Sequence, residues 1–536
     1  VRAAVAAIRQ EPTFVSHTFR TLPPRRRRVL LTGVTGFVGQ AVLERFLREE
    51  AEIHVVVRGR GGESAEDRLD EVLTRAAFDP WREEVGPAGV ARARSHVHVV
   101  EADLSEDLPP LPTDLDVVVH SASSVSFDDP WDVAIRANVL GPRSLYEALE
   151  RAGGRPHVIH VSTSYVQTDR TDLALEASVE HDVDWRVEVD AARARRAELV
   201  AGSGVTELTG ERRAAAVREA DATMRGLGRE RARELGWTDV YTMTKSLGER
   251  VAEELWGACG NRLTVLRPTI IESAVARPFP GWIDGFKVAD PLIAAFAKGR
   301  LVAFPGHPDA VLDVVPVDLV VDAIMAATLV PLPDAAPRYL QVGTSVSNPM
   351  TLDTLRAHVE GYLATSPWVD RAGAPIRVRP WRFLSPDALD AWAGRRAAVL
   401  GGLARTLEIV PGSFQHARSR VEAARRGLRL VRSYAGIYQP YTCSRTRYDD
   451  TATRQLLADA ATLGAPPAVD VRGLDWAHYI REVHMPSLTR TATEYRRRSA
   501  ERRALEGRPI TRGRQGAGRA GRAGRAVGAA AMVVGA

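Results

Sequence analysis

The residues best suited to chemistry are Tyr241 and Lys245, in Tyr241-Thr-Met-Thr-Lys245-Ser-Leu-Gly-Glu, where four-residue spacing puts a phenol and an ammonium on one face of a helix. A phenol titrates near 10 and is idle at neutral pH unless a neighbouring cation stabilises its phenolate and makes it a usable proton donor and acceptor. Upstream, His157-Val-Ile-His-Val161 reads as a buried strand that delivers Ser162-Thr163-Ser164 to the carboxyl edge of a sheet. A hydroxyl there polarises a carbonyl oxygen. Ser162 and Thr163 stand side by side, and spacing does not orient them.

The stretch that holds a redox cofactor beside such groups is Val29 to Gly39, VLLTGVTGFVG, an apolar run that breaks into three glycines three apart. Val29, Leu30 and Leu31 read as a strand buried on both faces, and Gln40 to Arg48 as the helix that follows. Gly33 permits the tight turn, Gly36 lets backbone amides approach a pyrophosphate, and Gly39 lets the helix pack close to the sheet. The helix N-terminus offers unpaired N–H groups to the phosphates. Among 43 glycines such spacings arise by chance, but between a strand and a helix they predict dinucleotide binding.

The next elements position the rest of the cofactor. Ile53-His-Val-Val-Val-Arg58-Gly-Arg60 is a second strand ending in arginine, where this kind of fold faces the adenosine ribose; arginine accommodates a 2′-phosphate, so NADP is expected, with Arg58 the first candidate and Arg60 the second. Residues 62–95 read as a helical excursion. After a strand at Val97–Val100, Asp103 either accepts a hydrogen bond from the adenine amino group or is a solvated turn residue. Val117-Val-Val-His120-Ser121-Ala-Ser123 is a strand running into a small-residue turn that lets backbone pass close to the cofactor. Trp131–Asn138 reads as a helix, with Asn138 either exposed or holding a water near the site.

At 536 residues the chain is long enough for two or three domains. Only two cysteines, Cys259 and Cys443, argue against a disulfide framework, a cysteine-built metal site and a cysteine acyl-enzyme, so a reducing cytoplasm is expected and no metal. The balance of 72 basic and 67 acidic residues, without a helix-turn-helix or zinc pattern, does not point to nucleic acid. No apolar run approaches the roughly 20 residues that span a bilayer, and no secretory leader is evident. The expected organisation is a helix and linker at 1–24, an α/β Rossmann-type doubly wound parallel sheet over 25–345, and a helical insertion at 169–238 laid over the active-site mouth. A mainly helical domain at 346–500 and a disordered Arg/Gly/Ala tail at 501–536 follow.

The ordered set TGxTGFxG, HSAS, STS, YxxxK and Leu266-Arg-Pro268-Thr269 resembles an extended short-chain dehydrogenase/reductase. HVSTSYV, YTMTKSLGER, LRPTIIES, Pro278-Phe-Pro-Gly-Trp-Ile-Asp-Gly, Leu312-Asp-Val-Val-Pro-Val-Asp318-Leu-Val and the closing Trp476-Ala-His-Tyr-Ile-Arg-Glu-Val-His-Met-Pro are similar to bacterial alcohol-forming fatty acyl-CoA reductases. The similarity runs over roughly residues 29–495. It implies NADPH-dependent reduction of a long-chain acyl thioester, on coenzyme A or acyl carrier protein, to aldehyde and then primary alcohol. The catalytic residues it implies are Thr163, Tyr241 and Lys245, with Ser162 the alternative hydroxyl. The cofactor contacts it implies are Gly33, Thr35, Gly36, Phe37, Gly39, Arg58, Asp103, Ser121, Tyr241, Lys245, Pro268 and Thr269. Where the family commonly has YVNG, this chain has YVQT, a change in the wall of the site.

On this resemblance Phe279, Trp282 and Phe286 either line an acyl tunnel or pack in a core, and Arg193, Arg195 and Arg196 either meet coenzyme A phosphates or a carrier protein, or cover a solvated helix. The helical C-terminal part either closes the acyl pocket or touches a membrane surface peripherally. Two other readings stay open: a nucleotide-sugar or sterol-modifying member of the same superfamily, and a non-catalytic NADP-sensing protein.

Overall fold

The structure is a computed structural model that describes residues 26–167, 172–203, 208–286, 290–301, 303–332, 336–370, 372–409 and 415–494. The helix expected at 1–24 and the tail expected at 501–536 lie outside these residues.

Alternation of apolar side chains explains why the strands read as unbroken apolar runs. Val29, Leu31, Ile53, Val55, Val117, Val119 and Ile159 point into one core, and Leu30, Val56, Val118, Val158 and Val265 into another on the opposite face. The strands are β1 (Arg28–Thr32), β2 (Glu52–Val57), β3 (Val97–Glu101), β4 (Val117–His120), β5 (His157–Val161), β6 (Leu263–Pro268) and β7 (Arg338–Val342). They form one parallel sheet in the order β7-β6-β5-β4-β1-β2-β3. The order reverses between β1 and β4, so the carboxyl ends of those strands open a crevice where ligands of doubly wound folds bind.

The helices follow in chain order: α1 (Phe37–Arg48), α2 (Ala65–Leu73), α3 (Asp79–Arg94), α4 (Trp131–Ile135), α5 (Gly141–Ala152), α6 (Trp185–Gly202), α7 (Gly210–Glu234) and α8 (Val240–Ala252). Beyond them lie α9 (Asp290–Ala297), α10 (Val317–Leu329), α11 (Leu352–Thr365), α12 (Pro386–Ile409), α13 (Gln415–Thr442) and α14 (Thr451–Thr462). Side chains of α1 and α10 fill the first core, and those of α5 and α8 the second. None of the described helices is long and apolar enough to cross a membrane.

The helix expected at Trp131–Asn138 is broken: α4 ends at Ile135, and a five-residue π turn, Arg136–Leu140, leads into α5. The insertion forms α6 and α7, which pack against α4 and α8. Arg193 is exposed, and the two other arginines singled out pair within the fold. Arg196 bridges Asp132 and Asp221 (both 2.8 Å), and Arg195 pairs with Glu198. Arg231 reaches the buried Glu188 at 2.6 Å.

The C-terminal helices share a third core with the segment after β6, where Ile293, Leu312 and Val314 meet Leu355, Trp381, Tyr438, Tyr479 and Val483. His484 ties the two together, with its ring nitrogens 3.1 Å from Ser273 Oγ and 3.2 Å from Asp290 Oδ1. The aromatic trio of the sequence reading divides. Phe279 and Trp282 belong to the cofactor-side core and only Phe286 packs toward the third, because 279–286 is an irregular loop and helical spacing does not apply.

Candidate active site

Helix α8 begins with a capping box. The Asp239 carboxylate accepts from the Thr242 N–H at 2.9 Å, and Thr242 closes the loop back to Asp239. This fixes the helix so that Tyr241 and Lys245, on its first two turns, face the carboxyl end of β5. The Tyr241 phenol lies beside the Thr163 hydroxyl, near enough for that group to pull its pKa down. The Lys245 ammonium donates to the Val161 carbonyl at 2.7 Å, on the last residue of β5. Four residues further on, Glu249 grips Arg267 of β6 at 2.6 Å with both side chains buried, pinning the helix to the sheet.

The structure separates the two adjacent hydroxyls. Thr163 meets the phenol, whereas Ser162 Oγ is buried without a hydrogen-bond partner and Ser164 donates to the Arg267 carbonyl at 2.7 Å. Asn138 is buried rather than exposed: it accepts from the Ser124 N–H (2.8 Å), donates to the Ser124 carbonyl (3.1 Å) and reaches Thr244 Oγ1 on α8 (3.0 Å). It holds the loop after β4 against the catalytic helix.

Burial works against the electrostatic expectation for the phenol, which joins Lys245 to the positive nicotinamide of a bound cofactor. The pairing with Lys245 predicts a lowered phenol pKa, but burial dominates and raises it; the Thr163 hydroxyl pulls down less, and Asp239 pushes it further up. The phenol therefore stays protonated across the neutral range. Burial lowers Lys245 to about 8 against the opposing pull of Glu249. Burial and then Lys245 lower His120, to about 3, and His160, so both rings beneath the site are neutral.

At the other end of the crevice the glycines divide their work. A Cβ on Gly33, whose φ is +78°, would lie 2.7 Å from the Ala122 nitrogen, and one on Gly39 would lie 2.1 Å from the Gly33 carbonyl oxygen. Both glycines serve backbone packing. At Gly36 only the Gly33 oxygen, 3.2 Å away, is near; the rest of that volume is open, at the start of a helix with no side-chain cap. Unfilled N–H groups beside an open glycine fit a pyrophosphate. Gly39→Ala is expected to lower stability by about 1–3 kcal/mol, as overpacking does, and to weaken dinucleotide binding; urea unfolding and cofactor titration check it.

The other expected contacts fall as follows. The Thr35 carbonyl accepts from Arg75 at 3.0 Å, and the Phe37 ring lies 4.8 Å from Trp282, at the loop. Arg58 and Asp103 meet each other at 3.0 Å across the ends of β2 and β3, in an open hollow of about 600 Å³ that Arg60, Glu63 and Glu101 also line. Ser121 donates its hydroxyl to the Thr32 carbonyl (2.8 Å) and Thr269 donates to Asp313 (2.9 Å), so both are committed to the fold and have only their backbones to offer. The Pro268 carbonyl accepts from Thr163 at 3.4 Å.

Sequence reasoning missed three contributors. Arg68 of α2 donates to the Arg58 carbonyl and sits close enough to Arg58 and Arg60 for their charges to lower its pKa, after burial. Phe127 stands edge-on to Tyr241 at 5.7 Å, on a loop that α7 holds through Arg225 and Arg229 to Asp128. Tyr441 of α13 donates to Asp239 at 2.7 Å and packs edge-on to Tyr165 at 4.9 Å. Spacing gives no sign of Phe127 or Tyr441, because residues so far from their partners in the chain share no local pattern with the site; Tyr441 lies 202 residues from Asp239.

Residues 31–324 match the NAD-binding family described as male sterility protein. The chain is 29% identical over 486 residues to the chloroplastic fatty acyl-CoA reductase 2 of Arabidopsis thaliana, covering 87% of this chain and 78% of that one. It is 28% identical to the alcohol-forming fatty acyl-CoA reductase of Simmondsia chinensis, covering 86% and 96%. Among solved structures it resembles the terminal R domain from the myxalamid PKS-NRPS biosynthetic pathway, with a TM-score of 0.52 and 18% identity over 88% of this chain and 93% of that one, a likeness of fold.

Proposed function

Because the chain belongs to the male sterility protein family of NAD-binding proteins, we propose that it is an NADPH-dependent fatty acyl-CoA reductase that converts a long-chain acyl thioester to aldehyde and then to primary alcohol. The observation that supports the reading best is that α8 sets Tyr241 and Lys245 at the carboxyl end of β5, where Lys245 donates to the Val161 carbonyl at 2.7 Å and the phenol lies beside the Thr163 hydroxyl.

Gly36 and the first turn of α1 would hold NADPH, which when bound would supply the hydride. The chain's own residues handle the oxygen. Tyr241 and Thr163 donate to the thioester carbonyl oxygen as charge grows there, from side-chain positions already fixed by the cap at Asp239 and the anchor at Glu249, with Thr163 giving up only its long 3.4 Å bond to the Pro268 carbonyl. Protonated across the neutral range, Tyr241 gives its proton to that oxygen. Lys245 keeps the catalytic helix seated on β5 and puts a positive charge beneath the site. The Tyr241 phenolate takes that proton back as the C–S bond breaks and thiolate leaves, so an aldehyde remains and both hydroxyls are again placed to donate.

The test is incubation with NADPH and acyl-CoA or acyl carrier protein thioesters, with products identified by mass spectrometry and oxidised cofactor counted per thiol released. Two per thiol is expected, with alcohol as product. No oxidation with any thioester defeats the reading, and cofactor turnover without net oxidation marks an epimerase.

Preference for NADP rests on Arg58, Arg60 and Arg68 around the hollow at the ends of β2 and β3. Arg58→Glu is expected to cut the NADPH to NADH ratio of kcat/KM about tenfold or more, the loss of a charge-assisted phosphate contact. A ratio unchanged by the substitution removes Arg58 from this role.

A further inference from the structure

Resting on the acyl-thioester reading, we propose that the acyl chain is held in a dry pocket between the segment after β6 and the C-terminal helices, with Tyr441 as its stopper. A thioester whose carbonyl reaches Tyr241 and Thr163 must place its methylenes out of water nearby, since each one left hydrated forfeits binding.

A cavity of about 30 Å³ lies behind Tyr441, walled by Ile293, Leu312, Leu355, Trp381 and Tyr438. Its wall is apolar, and it is only large enough for a methyl group. Its front is closed toward the catalytic centre by a cluster of rings. Tyr438 and Tyr441 stand 6.5 and 5.4 Å from the Phe127 ring, which stands edge-on to Tyr241, and Tyr165, two residues after Thr163, packs on Tyr441 from the other side. Two rings, Tyr441 and Phe127, divide the reacting phenol from the cavity.

Tyr441 is held there by its hydrogen bond to Asp239. Rotation of that side chain joins the cavity to the site and leads a chain into the third core, between α9 and α11. The larger hollows of 470 and 660 Å³ do not compete: they are lined by Glu44, Arg45, Arg48 and Asp322, or by Arg277, Asp470 and Asp475, and touch none of the rings around Tyr241.

Leu355→Trp fills the far wall and is expected to lower the ratio of palmitoyl-CoA to octanoyl-CoA kcat/KM at least about tenfold, within the range that excluded methylenes cost. Independently of turnover, palmitoyl-CoA bearing a terminal diazirine, photolysed on the wild-type chain with NADP present, is expected to label the peptides carrying Leu355, Trp381 or Tyr438. This second measurement stands even where Leu355→Trp does not fold. An unchanged ratio in a folded variant, or label mapping elsewhere, overturns the pocket and leaves the reductase reading standing if NADPH is oxidised. Label in the pocket without NADPH oxidation supports the pocket and defeats the reductase reading.

Discussion

Tyr241→Phe is expected to leave the fold and NADPH binding intact and to lower kcat by about 10²- to 10⁴-fold, the usual contribution of a positioned general acid. The substitution removes one hydroxyl from a half-buried site and leaves the Phe127 contact in place. Cofactor fluorescence titration separates binding from chemistry, and near-normal turnover with NADPH bound would remove Tyr241 from the mechanism. The pH profile gives a second readout. Lys245 is lowered to about 8, so its ammonium is present below that pH and lost as pH rises through it. Activity that needs the charge therefore has kcat/KM falling above about pH 8, while the phenol, held above its ordinary value, keeps its proton through the same range. A profile flat from pH 7 to 9 contradicts a requirement for charged Lys245.

Glu249→Leu is expected to cost about 3–5 kcal/mol of stability, because it strands a buried guanidinium. Arg267 donates to Glu249 through Nε at 3.0 Å and Nη2 at 2.6 Å, and its remaining nitrogen, Nη1, donates to the Ala177 carbonyl at 2.6 Å. Neither side chain of the pair has water to retreat to. Urea unfolding of the single variant measures the loss. The double variant Glu249→Leu with Arg267→Leu should recover a large part of it, since two apolar side chains leave no unpaired charge. A single variant as stable as the parent would mean that the pair does not anchor the helix. Because Glu249 lies one turn beyond Lys245, residual folded protein should also show slower turnover.

Leu30 and Leu31 illustrate what the sequence determined. Buried on opposite faces of a parallel strand, they announce themselves as an unbroken apolar run, and three glycines then mark the turn at which the chain must fold tightly back on itself. Local periodicity decides such features, so the strands, the glycine loop and the face shared by Tyr241 and Lys245 were legible. What it left open were the contacts that spacing does not decide. Trp282 sits against Phe37, Thr269 against Asp313, and Arg196 against Asp132 and Asp221, because packing and charge pairing choose partners across the fold.

The choice of Thr163 over Ser162 belongs to the tertiary structure, since one residue of offset turns a side chain to the other face. So does the burial that raises the phenol pKa against the expected pull of Lys245. Most of all, only the folded chain brings Tyr441 to Asp239, across 202 residues. That contact depends on the C-terminal helices docking on the segment after β6, a long-range packing result that no pattern within either segment encodes.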